Sequence, residues 1–312
     1  MSTLPRFSLR PRLGSSAANS TRTVGSNSIG SYEAPAYRPT TCPAAVTAVA
    51  TLLDCHDFDG GAGTDSTDDV TISSGKNLKF SLGWNEPQYG VATDLDAYLV
   101  DTTTSSVVAL SNNTNSSSGK PYEFINLNNT TGGSRTYSIV IGRRSGTGTP
   151  RLKWISHRSP FTAVEYATGA NGDVVGPTSY GHNMLIGAGS IAAIPYNSNT
   201  APEYYSSRGP ATSCWGPVVG TTAATAVSPC KVDTIDVTAT DGGSNSFFGS
   251  LVSSVWRFYG TSQAAPHAAA VAALQKDHRP CATPAQILEA QRFSGIAIGS
   301  FGVDAIGGGR LD

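Results

Sequence analysis

One stretch constrains the fold more than any other. From Gly260 the chain reads GTSQAAPHAAAVAALQ, a run dominated by alanine. Ala265, Ala268, Ala269, Ala272 and Leu274 recur on a period of about 3.6, which predicts a helix starting at Ser262. A helix this thin is built to lie close against strands, and Ala264 and Ala265 leave the room for that approach. Gly260 permits a tight turn ahead of it. Pro266 is expected in the first turn, where a missing N–H costs little. Ser262 itself is ambiguous at this point, because serines at helix starts commonly act as caps.

The rest of the chain divides by texture. Residues 1–45 are rich in Ser, Asn, Gly and Pro, without sustained periodicity, and are expected to be a poorly ordered N-terminal remnant. A short apolar stretch, AAVTAVATLL, and an acidic loop, HDFDGGAGTDSTDDVTI, follow. NLKFSLGW, DLDAYLV, SVVAL, YEFINL and TYSIVIG are short, rich in β-branched and aromatic residues, and separated by Gly, Asn or Ser clusters. That spacing predicts an antiparallel β-sandwich over 46–158, with RLKWISH as its closing strand. Residues 159–312 read as α/β. HNMLIGAGSIAA and KVDTIDVTATDGG are strand candidates, EYYSSRGPAT is a loop, and TPAQILEAQRF is a second helix with Thr283 as cap and Pro284 at its first position.

Composition limits the partners. Charged residues make up 14%, well below the ~25% of an average globular chain. A net charge of −1 gives no electrostatic reason to bind nucleic acid or an anionic membrane. No apolar run reaches the ~18 residues of a membrane span. The N-terminus has three arginines but no apolar core, so no signal peptide is read in this chain. Five cysteines lack zinc-type C-x-x-C spacing. Cys42 with Cys55 and Cys214 with Cys230 could each close a short loop, leaving Cys281 over; five buried thiols fit the sequence as well.

A serine hydroxyl attacks only when a base removes its proton and donors await the oxyanion. A helix start supplies part of the second requirement through its free N–H groups and dipole. The nucleophile elbow of α/β-hydrolases needs glycine two residues after the serine, and Ala264 stands there, which disfavours an esterase of that kind. GTSQAAPHAAAVAAL instead closely resembles the nucleophile motif of the subtilisin-like serine proteases, the subtilases, with Ser262 at the nucleophile. YYSSRGP (204–210), KVDTIDVTATDG and the final GGGRLD resemble further family segments in the family's order, with Val232 where proline is usual. These matches cover about 175–312. FSLGWNEPQYGVATDLDAYLVD resembles a β-sandwich inserted into one branch of the family.

The resemblance implies an α/β subtilisin-like half-domain, a parallel sheet with helices, carrying an inserted antiparallel β-sandwich. It implies a secreted, monomeric endopeptidase acting on protein or peptide substrates through an acyl-enzyme on Ser262, with no cofactor required. It also implies an aspartate and a histidine that are not found. The family's Asp-Ser/Thr-Gly turn and His-Gly-Thr-His helix start are absent. Of the five histidines, His267 belongs to the serine motif, and His182 imitates the base motif but follows the sandwich. His56, His157 and His278 sit in unrelated surroundings. Asn19 and Asn27 are in settings only loosely like that of the oxyanion asparagine. The expectation is therefore a truncated or degenerate member, nearly inert by itself. The alternative is a non-catalytic extracellular binding protein that uses the sandwich. Structural calcium is a candidate at Asp57, Asp59, Asp65, Asp68 and Asp69, or at Asp94, Asp96 and Asp101, since calcium takes clustered carboxylates; solvated acidic loops fit too.

Overall fold

Small residues are what allow the parallel strands and their helix to meet. The computed structural model describes residues 14–185, 187–246 and 248–312, and it divides the chain into two units. One is formed by residues up to 18 with 179–210 and 233–312; the other by 19–178 with 211–232. In the first unit Gly14–Ser16, Gly189–Pro195 and Val237–Asp241 form a parallel sheet with Gly189–Pro195 in the middle. The helix Thr261–His278 packs across all three strands. Ala264 and Ala268 are buried against Ile191, Ala193, Val237 and Ala239. The helix Pro284–Ser294 then packs on that helix, and Gln291 Nε2 donates to the Ala268 carbonyl at 3.0 Å. Its N-terminus is the one expected. The Thr283 side chain accepts from the Gln286 N–H, and Gln286 Oε1 accepts from the Thr283 N–H, so two end groups are satisfied reciprocally.

The second unit is antiparallel. One sheet runs in the order Ser106–Ser111, Asp94–Asp101, Arg135–Ser145, Asp54–His56, Pro39–Thr40, with Asp68–Ile72 also pairing Arg135–Ser145 and Phe161–Val164. The other runs Tyr122–Asn128, Asn77–Trp84, Leu152–His157, Ser31–Ala34, Val174–Val175. Phe80, Leu82, Leu99, Ile139, Trp154 and Phe161, from both sheets, share one core. Every residue of Asp94–Asp101 is buried. Its second face, with Tyr98 and Val100, is covered by Val46 of the short helix Ala44–Thr47 and by the Cys42–Cys55 disulfide. Cys214–Cys230 is the second disulfide, and Cys281 is free and exposed.

The expected boundaries of 1–45, 46–158 and 159–312 differ from this division. Residues 1–13 lie outside the described residues, but 14–45 contribute strands to both units. Leu152–His157 does not close its sheet: Ser31–Ala34 pairs beyond it, with Trp154 opposite Tyr32. That strand is four residues long and reads SYEA, too short and polar to show a period, yet all four residues are buried. The hairpin strands Ala211–Trp215 and Ala226–Asp233 likewise fall almost wholly in the second unit, joined by their disulfide.

Candidate active site

The turn before Ser262 is held from beneath. Gly260 adopts φ 117° and ψ 161°, a conformation that favours a residue without a Cβ. Its N–H donates to Asp241 Oδ2 at 2.6 Å, and its carbonyl accepts from the N–H groups of Gln263 (2.8 Å) and Ala264 (3.3 Å) to start the helix. Thr261 is buried and Ser262, the second helical residue, is exposed. The serine thus sits where end N–H groups and the helix dipole favour negative charge. The Gln263 side chain reaches the other way, with Oε1 accepting from the Gly243 N–H at 3.1 Å.

Pro266 lies beyond the first turn, contrary to expectation. The helix begins at Thr261, so an N–H at 266 would have bonded the Ser262 carbonyl, and proline removes that bond. The main-chain oxygen of the candidate nucleophile is therefore without its usual helical donor.

Asp241 carries more than the sequence suggested. Fully buried at the end of its strand, it also accepts the Tyr205 hydroxyl on Oδ2. Burial, then the hydrogen bond to Asp241, pushes the Tyr205 hydroxyl well above the usual phenol range. Burial, followed by the nearby Asp241 charge, raises the Glu203 pKa to about 7. The only sequence signal for this group was an aspartate ahead of Gly242 in TATDGG, read simply as a strand's exit turn.

His267 Nδ1 donates to the Thr240 carbonyl at 2.6 Å. His182 is exposed in the 3-10 turn Gly181–Met184, and His278 is exposed at the last position of the serine helix. His56 and His157 belong to the second unit, where they meet Tyr32 and Ser81 respectively. Among the described residues no hydrogen bond joins an imidazole to the Ser262 hydroxyl. Asn19 follows the strand Gly14–Ser16 closely, with Ala18 at φ 81°, while Asn27 lies in the small hairpin with Thr23–Val24.

The acidic loop spends its carboxylates on its own backbone. Asp57 Oδ1 accepts from the N–H groups of Asp59 and Asp65, Asp59 Oδ1 from Gly61, and Asp65 Oδ1 from Thr67. Asp94 accepts from the Asn115 N–H, Asp96 from Tyr98, and Asp101 pairs with Arg135. Among the described residues no group of three or more His, Cys, Asp or Glu side chains could hold a metal ion. Asp68 differs from these, being fully buried with neither carboxyl oxygen hydrogen-bonded.

The model of the subtilase family matches residues 13–292. No curated protein matches the chain. Among solved structures, the chain is similar to the Clostridium perfringens CspB protease, with a TM-score of 0.45 and 12% identity. The similarity covers 82% of this chain and 56% of that one, so the chain spans little more than half the length of that relative. At that identity the assignment rests on the family match, which takes in the strands of the parallel sheet and the helix that presents Ser262. The chain belongs to the subtilase family.

Proposed function

We propose that the protein is a subtilisin-like serine endopeptidase that attacks peptide carbonyls with Ser262 and passes through an acyl-enzyme. The observation that carries this is the exposed hydroxyl at the second residue of a helix whose buried alanines seat it on a parallel sheet. On this reading the first unit is the half of a catalytic domain that holds the nucleophile, and the antiparallel unit is an insertion between its strands. Two disulfides favour a secreted location. Substrates are peptides or proteins, and the working form is a monomer. No described helix is long and apolar enough to cross a membrane.

No described imidazole activates Ser262, and loss of the base from a subtilisin triad costs on the order of a million-fold in turnover. Residues 1–312 by themselves are therefore expected to label with a fluorophosphonate far more slowly than a complete protease. Labelling of the protein expressed from its natural source, followed by peptide mapping, tests the assignment. Modification at Ser262 that disappears in Ser262→Ala supports it; modification at another residue, or none, overturns it.

A second reading, a binding module with a degenerate protease scaffold, is favoured by one feature. Val108, Leu110, Tyr122 and Phe124 are all exposed on the edge strands Ser106–Ser111 and Tyr122–Asn128. Absence of any Ser262 labelling in the natural protein would point there.

A further inference from the structure

The core between the two antiparallel sheets contains a carboxyl. Asp68 opens the strand Asp68–Ile72, in which residues 68, 70 and 72 are buried while 69 and 71 are partly exposed. Successive side chains of a strand point to opposite faces. Val70 and Ile72 belong to the shared core, so Asp68 is turned inward with them. It is fully buried, and neither of its oxygens has a hydrogen-bond partner among the described residues. The facing sheet holds two more polar groups in the same condition. Trp154 and Ser156 lie two apart on Leu152–His157, both buried, with the indole N–H and the hydroxyl unpartnered.

The elements packed against Asp68 bring it no cation. On Arg135–Ser145, which pairs with its strand, Arg135 is bound to Asp101, Arg143 to Asp54 and Arg144 to Asp96, while Tyr137 is buried in the core. On Leu152–His157, Lys153 pairs with Glu33 and His157 meets Ser81. Arg22 gives Nε to the carbonyl of Phe161, at the start of the other paired strand. The acids nearby are engaged and of the wrong sign. Asp69 accepts from the Ser138 hydroxyl, Glu165 Oε2 accepts from the Asp69 N–H at 3.1 Å, and the Tyr166 hydroxyl goes to Asp65 at 3.1 Å. An ionised carboxylate in such a place, with neither donor nor counter-ion, costs far more than keeping its proton.

We propose that the folded protein holds Asp68 as a neutral carboxylic acid, and that its ionisation frees the start of its strand and the acidic loop before it, a latch that alkali opens. Asp68 is the first residue of the strand and its pairing with Ile139 ends that ladder, so fraying this one end lets a carboxylate reach water. The loop is tied down close by, where the Phe58 N–H donates to the Asp65 carbonyl at 2.6 Å and Asp65 Oδ2 accepts the Tyr166 hydroxyl. Burial pushes the Asp68 pKa well above the usual aspartate range. The Tyr166 N–H and the Trp154 indole offset part of that rise, although neither completes a hydrogen bond to it. A carboxyl raised in this way stabilises the fold fully below about pH 4, and the contribution is lost as pH climbs towards the folded-state value. None of this depends on the role of Ser262.

Asp68→Asn keeps the shape of the side chain and cannot ionise. Urea denaturation of the whole chain from about pH 5 to about pH 7 gives the unfolding constant of the native protein relative to this variant. That ratio is expected to rise with pH by up to about tenfold per unit. Asp96, Glu165, His56 and His157 titrate in both proteins and cancel from it. A ratio that does not change with pH overturns the proposal. Amide exchange at Asp69, corrected for intrinsic rates, should quicken over the same range in the native protein alone; equal acceleration in both proteins overturns the latch. If Asp68→Asn fails to fold, carboxyl-carbon NMR of the native protein decides. An Asp68 midpoint at least one unit above the ordinary ~3.9 supports the proposal, and a midpoint nearer to that value overturns it.

Discussion

Single residues in this chain are decided by what surrounds them rather than by type. Ser262 and Ser190 carry the same hydroxyl, yet one is exposed at a helix start and the other is buried in a strand. His56 is the clearest case among the histidines. It is buried, its Nε2 meets the Tyr32 hydroxyl at 3.2 Å, and its Nδ1 accepts from the Arg38 N–H at 3.2 Å. Burial first, then the Arg38 charge, lowers its pKa well below 6.5. The folded state therefore binds fewer protons than the unfolded one below that pH, so this contribution is complete above pH 6.5 and is lost as pH falls. Asp96, raised to about 6 chiefly by burial, acts with the opposite sign, its contribution being lost as pH rises. Only the difference between native protein and variant isolates the histidine. In His56→Gln the acid loss of stability, up to about 1.4 kcal/mol per pH unit, should be absent, as read by urea denaturation at pH 7.5 and pH 5.

At the scale of elements, the serine helix and its sheet stand or fall on side-chain size. Ala264 and Ala268 are buried in one cluster with Ile191, Ala193, Val237 and Ala239, Ala264 completely. Ala268 also offers its carbonyl to Gln291 of the next helix. Ala264→Leu should destabilise the first unit by about 1–3 kcal/mol, because an overpacked site must shift backbone or adopt poor rotamers. Ala273→Leu, at an exposed position on the same helix, should change the denaturation midpoint little. A comparable loss from both would mean that helix propensity, not packing, controls this element. The antiparallel strands show the complementary rule. Tyr122–Asn128 alternates between exposed and buried residues, and its period was plain in the sequence. Asp94–Asp101 is buried on both faces, and only its apolar content, not a period, marked it as a strand.

At the scale of the molecule, two units each have their own core, and the chain passes from the first into the second and back twice. Independent cores favour separate unfolding transitions. Cys42–Cys55 lies within the second unit, with a sequence separation of 13. A loop of that length is worth about 3 kcal/mol on the chain-entropy view. A Cys42→Ala, Cys55→Ala double variant should lower one calorimetric transition and leave the other in place; a uniform shift of all unfolding would show that the units do not melt separately. The division also explains which boundaries were legible. The change of texture read near residue 158 falls short of the passage between units after Thr178, because Phe161–Val164 and Val174–Val175 still pair with strands of the second unit. The contributions of 14–45 and of the 211–232 hairpin were not legible, because those strands are short, polar or paired only with distant partners.

Local chemistry was therefore enough to determine the helix that carries Ser262, its glycine turn, the capping box at Thr283 and most of the antiparallel strands. Each depends on residues within a few positions of one another, and the motif around the serine carried the family with it. What the fold alone decided is the company those residues keep. Tyr205 and Asp241 are 36 positions apart, and the tyrosine hydroxyl meets the carboxylate that holds the Gly260 N–H only because the parallel strand Val237–Asp241 ends beside the loop that follows Gly189–Pro195. No local pattern encodes such a meeting, since a buried hydrogen bond of this kind is created by the approach of distant backbone and by the exclusion of water from the space between.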